Sequence, residues 1–114
     1  MDKADFNRKA LEKIYPLMRR QCILTAEREP VDWHHCLRRC GGRREYGSPL
    51  NAIPIARKIH NFAPLHDRGL VLFFLERAEK AVMDAVRRGD YKLTDNDKNF
   101  MLLREDWFLS HFPT

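Results

Sequence analysis

The residues best suited to chemistry lie within one stretch of the chain. His34 and His35 stand side by side, Asn51 follows sixteen residues after His35, and His60 comes nine residues after Asn51. A neutral imidazole offers a lone pair to a divalent ion, and one with an unperturbed pKa near ~6.5 accepts a proton from water at neutral pH. A His-His pair alone says little, because either ring could simply cap or pack. The wider spacing carries more, since it places the four residues in the order strand, loop, strand, helix.

Charge concentrates in the same stretch. Between His34 and His60 lie Arg38, Arg39, Arg43, Arg44, Arg57 and Lys58 against a single acid, Glu45, an excess that equals the net charge of +5 of the whole chain. Arginines on a glycine-containing loop present forked donors that suit phosphates, and a pI of about 9.4 steers a chain toward nucleic acid at low salt.

The elements that must position these residues follow from apolar spacing. Phe6, Ala10, Leu11, Ile14, Leu17 and Met18 recur at helical intervals from about Asp5, with Pro16 kinking or ending the helix. Cys22–Thr25 and Val31–His35 read as two short strands joined by a turn around Pro30. From Cys36 to Pro49 no pattern is left, and Gly41, Gly42, Gly47, Ser48 and Pro49 mark a long loop of the kind that carries function. Leu50–Ile55 is a brief apolar stretch, and Ala56–Phe62 reads as a short helix closed by Pro64. Asp67 caps a long core helix that ends at Gly89, and Thr94 with Asp97 resembles a capping box for one more helix. The aromatic end, Trp107–Phe112, is expected to dock on the core, Trp33 to lie beneath the hairpin, and Phe73–Phe74 to form a core or dimer face.

With 114 residues, 44% apolar and 32% charged, the chain supports one core and excludes a disordered or collagen-like class. No apolar run spans a bilayer, and the first residues lack a signal-peptide pattern, so a cytoplasmic location and no membrane partner are expected. Cys22, Cys36 and Cys40 are then reduced thiols. Cys36 and Cys40 have a spacing that zinc could use, but no second pair of clear ligands accompanies them. His66 and His111 read as surface or satisfied histidines.

Val31-Asp-Trp-His-His35, Leu50-Asn-Ala-Ile-Pro-Ile55 and Arg57-Lys-Ile-His60 together resemble the HNH nuclease family, in particular its small phage and prophage members. The resemblance covers roughly Cys22 to Asn61. It implies an α+β fold in which a ββα-metal motif, core about 22–62, is flanked by helices from both termini of a single domain, residues 1–114. The activity implied is metal-dependent hydrolysis of DNA phosphodiester bonds, one strand per active site, with low sequence specificity. His35 would be the general base, His34 and His60 the ligands of one divalent ion, and Asn51 the residue that ties down the loop and keeps the base oriented. Arg38, Arg39, Arg43 and Arg44 would contact phosphates.

The sequence departs from the family pattern at two places. Pro64 stands one helical turn after His60, where some relatives carry a further ligand, and Arg57 stands where a cysteine of a structural zinc would be. The ion itself, Mg2+, Mn2+, Ni2+ or Zn2+, is left open, because imidazole suits the later transition metals whereas Mg2+ prefers oxygen. The partners implied are DNA, a second copy of the chain where both strands are to be cut, and phage or host replication or recombination proteins. The alternative from another class is a non-catalytic DNA- or protein-binding accessory factor on an HNH-like scaffold.

Overall fold

A computed structural model describes residues 5–28, 30–38, 42–60 and 65–112. Its elements are α1 (Arg8–Ile14), β1 (Val31–His35), β2 (Ala52–Ala56), α2 (Arg57–His60), α3 (Arg68–Arg88) and α4 (Asp95–His111). The fold is α+β, with the four helices around one two-stranded antiparallel sheet.

α3 is the scaffold. Val71, Phe74, Leu75, Ala78, Val82 and Ala85 fall on one helical stripe and are buried. Asp67 Oδ1 accepts from the Gly69 and Leu70 amides at its start, and Gly89, at φ 82°, closes its end in the left-handed region that glycine enters without steric cost. α1 is capped by Asn7 and lies against α3, where the Arg88 guanidinium donates to the carbonyls of Lys13 and Ile14.

β1 pairs with β2 so that Trp33 lies opposite Pro54, His34 opposite Ile53 and His35 opposite Ala52. All five residues of β2 are buried. A proline is tolerated there because the Pro54 carbonyl faces away from β1 and accepts from Ile23 N at 3.0 Å. Its missing N–H therefore falls on the side that makes no ladder bond with β1.

This pairing overturns the expected hairpin of Cys22–Thr25 with Val31–His35. The 22–26 segment is a turn, closed by Ala26 N donating to Cys22 O at 2.9 Å, with Ala26 at φ 63°. A chain that reverses there cannot lay Cys22–Thr25 along β1, so β1 finds its partner beyond the loop, in the brief apolar run Ala52–Ala56. The loop itself is more regular than its composition indicates. It contains 3-10 turns at Arg44–Gly47 and Pro49–Asn51, the second capped by Ser48. Arg39, Cys40 and Pro64 lie outside the described residues.

The capping box at the start of α4 is present, and Asp97 does more than cap. It is 1% exposed and accepts from Ser48 Oγ at 2.6 Å, Tyr91 OH at 2.5 Å and the Thr94 amide at 2.9 Å. One carboxylate thus fastens α4 to the turn that precedes Asn51. Asp97→Ala leaves those donors without an acceptor in the interior, and is expected to lower the unfolding free energy by about 3 kcal/mol. Urea denaturation measures this, and a loss within the range of an ordinary surface substitution contradicts the assignment.

Candidate metal centre and nucleic-acid interface

The two-residue period of β1 sorts its side chains onto two faces. Trp33 and His35 lie toward the N-terminal segment, where Tyr15 meets Trp33 at 5.3 Å between ring centroids and Phe6 stacks on His35 at 4.0 Å and 20°. Asp32 and His34 lie on the other face, toward α2 and α3. The adjacent histidines therefore experience different surroundings.

His34 is 5% exposed, with its ring edge-on to Phe74 at 5.8 Å. Its Nδ1 lies 3.2 Å from His60 Nε2, and His60 Nδ1 lies 3.1 Å from Asp32 Oδ2. A carboxylate only accepts, so His60 donates from Nδ1 to Asp32, and in the neutral ring His60 Nε2 keeps a lone pair that accepts from His34 Nδ1. Arg57 Nε donates to the other Asp32 oxygen at 3.0 Å. Burial pushes the Asp32 carboxyl upward, but the hydrogen bonds and charges of Arg57 and His60 outweigh it and hold Asp32 below the usual carboxylate range.

Burial away from water, followed by the nearby His66, His60 and His35, lowers the His34 pKa to about 3. His34 is a neutral imidazole at physiological pH, and its Nε2 is buried without a partner. With the His34 proton moved from Nδ1 to Nε2, the spacing of His34 Nδ1 and His60 Nε2 fits a divalent ion. Two nitrogens about 2.1 Å from one ion, at the angles of octahedral or tetrahedral ligation, stand about 3.0 to 3.4 Å apart, and the observed separation of 3.2 Å lies in that range. Among the described residues no group of three or more His, Cys, Asp or Glu side chains is arranged to hold a metal ion.

His34, His35, Arg38, His60 and His66 border a cavity of about 400 Å³. His66, read from the sequence as a surface or satisfied histidine, is half-buried here, with its ring 5.0 Å from that of His34 and a hydrogen bond to the His35 backbone. Burial and then the charge of Arg38 lower its pKa, against the effect of that hydrogen bond. His35 also borders a second hollow of about 880 Å³ with Phe6, Trp33 and Arg57, so it sits between the two spaces.

Asn51 is fully buried and does not face the cavity. Its amide nitrogen donates to the carbonyls of Leu37 and Tyr46 at 3.0 and 2.9 Å, its side-chain oxygen accepts from Leu37 N at 2.8 Å, and its own carbonyl accepts from Cys36 N. The segment that follows His35 is thereby held at both ends of its loop. Cys36 is fully buried, its thiol pKa pushed up by desolvation, and Cys22 is buried as well.

The arginines divide. Arg38 is exposed at the cavity wall. Arg43 and Arg44 are exposed at the 3-10 turn against α4, where Arg43 pairs with Glu45 at 3.2 Å and the Arg44 carbonyl accepts from Asn96. Neither borders the histidine cavity. Sequence reading overlooked Asp32, Phe6 and His66. Asp32 had a signal, since it shares a strand face with His34 at two-residue spacing. Phe6 and His66 reach the site only through tertiary packing.

No protein-family model matches the chain, and no curated protein or solved structure is significantly similar to it. Among the described residues no helix is long and apolar enough to cross a membrane.

The His34 pKa of about 3 lies below the ordinary value of 6.5. Between those pH values the unfolded chain binds the proton more readily than the folded one, so stability falls as pH drops through the window. In chelator, the wild type is expected to lose more unfolding free energy between neutral pH and pH ~4.5 than His34→Leu does. Parallel losses in urea titrations contradict a buried neutral His34.

Proposed function

We propose that the chain is a metal-dependent DNA endonuclease of the HNH kind, in which β1, β2 and α2 serve as a ββα-metal motif and each site nicks one strand. The observation that carries this reading is the pair of imidazole nitrogens 3.2 Å apart, aligned by Asp32, in one cavity with His35 and Arg38.

His34 Nδ1, its proton moved to Nε2, and His60 Nε2 would hold the ion, which when bound would stabilise charge on the phosphate and on the leaving oxygen. Asp32 fixes the tautomer of His60, so that the lone pair faces His34 rather than solvent. His35 takes the proton from the attacking water, and Phe6 packed on its face limits the orientations of the ring. Asn51 holds the backbone beyond His35 in place, and Arg38 offers guanidinium donors to a phosphate at the cavity wall. Burial of His34 keeps its ring neutral and therefore able to act as a ligand at neutral pH.

Supercoiled plasmid incubated with purified protein is expected to be nicked with Mg2+, Mn2+, Ni2+ or Zn2+ and not with EDTA. His35→Ala should lower the rate by about a hundredfold or more while leaving DNA binding intact. His60→Ala should abolish metal-dependent nicking. Asp32→Asn should raise the metal concentration needed for half-maximal nicking by about tenfold or more, with cleavage recovered at saturating metal. Tight, salt-sensitive DNA binding with no nicking under any ion would instead favour the non-catalytic accessory factor.

A further inference from the structure

The histidine cavity has a neighbour at the end of α4. Arg38 and His66 border both the cavity of His34 and His60 and a second one, also about 400 Å³, whose other walls are Trp107, His111 and Phe112. The two spaces thus adjoin at the exposed Arg38.

The second space is built around a flat aromatic surface. The His111 ring lies on Trp107 with centroids 3.7 Å apart and planes 7° apart, and His111 Nδ1 donates to the Trp107 carbonyl at 2.8 Å. Trp107 is 9% exposed, so its far side is packed in the protein, whereas His111 is exposed. The outcome is an imidazole held flat by a ring beneath it and a hydrogen bond at its edge, with its outer face toward solvent. Phe112 stands beside the pair, 6.3 Å from Trp107.

We propose that this surface stacks an unpaired nucleobase of the strand whose phosphate occupies the neighbouring histidine cavity, with Arg38 reaching the backbone between them. The proposal rests on the nuclease reading for the position of that phosphate. It adds a substrate class, DNA with unpaired nucleotides at the cut, such as single strands, flaps or gaps. Charge favours a polyanion at Arg38, and stacking on aromatic rings is tolerant of base identity. A base inside a duplex has both faces covered by its neighbours and cannot stack on a protein ring without leaving the helix.

Binding is measured in EDTA by fluorescence anisotropy, with a short labelled single strand and a blunt duplex of the same sequence. His111→Ala is expected to weaken single-strand binding by about tenfold and leave duplex binding unchanged, while His111→Phe retains single-strand affinity. Unchanged single-strand affinity in His111→Ala, or an equal loss on the duplex, overturns the proposal. In a second arm, with metal, the wild type should cut a strand with an unpaired patch in preference to the paired duplex, and His111→Ala should lose that preference. Equal cutting by the wild type overturns the proposal. Because binding is read without metal, failure of the platform and failure of plasmid nicking by the wild type are separate results.

Discussion

The Asp32 carboxylate decides how both imidazoles of the site are arranged. It accepts from His60 on one oxygen and from Arg57 on the other, and the proton it claims from His60 Nδ1 turns the His60 Nε2 lone pair toward His34. Asp32, Arg57 and His60 come from β1 and the short α2, which follows β2 directly, so the arrangement exists only because β1 and β2 are in register. A shift of one residue in that register would carry Asp32 and His34 to the opposite face, beside Tyr15 and Phe6.

A buried imidazole nitrogen without a partner is costly, and the structure carries that cost at His34 Nε2, the ring nitrogen that does not face His60. Phe74 of α3 packs edge-on against the His34 ring, and so ties the largest core element to the site. Two further buried polar groups confine the long loop. Asn51 satisfies backbone groups on both of its sides, and Asp97 fastens the Ser48 turn to α4. Both groups are enclosed by partners of suitable geometry, the condition under which a buried amide or carboxylate specifies a conformation rather than destabilising it. The loop that carries the basic residues thus leaves the end of β1 from a fixed anchor.

Local signals in the sequence were legible where they were self-sufficient. The Asp67 and Gly89 caps of α3, the Thr94–Asp97 box of α4, and the apolar stripe of α3 depend on neighbours within a turn or two, and the structure has them where their spacing indicates. The partner of β1 was not legible, because the turn at Cys22–Ala26 relies on an alanine at positive φ, a conformation no residue type there announces. The site divides in the same way. His34, His60 and Arg38 meet in one cavity, whereas Arg43 and Arg44 lie at the 3-10 turn that packs against α4 and do not border it. A run of like charges in sequence fixes no common direction once 3-10 turns intervene. His66 and Phe6 were invisible, since each approaches β1 from another part of the chain.

The proposed site turns on His34 and His60 acting as a pair of ligands for one divalent ion. Titration of chelator-stripped protein with Co2+, followed by visible absorption and calorimetry, tests it most directly. The expected result is one ion per chain, and loss of that binding in both His34→Ala and His60→Ala while the variants remain folded. Absence of binding in the wild type, or binding that survives both substitutions, would contradict it.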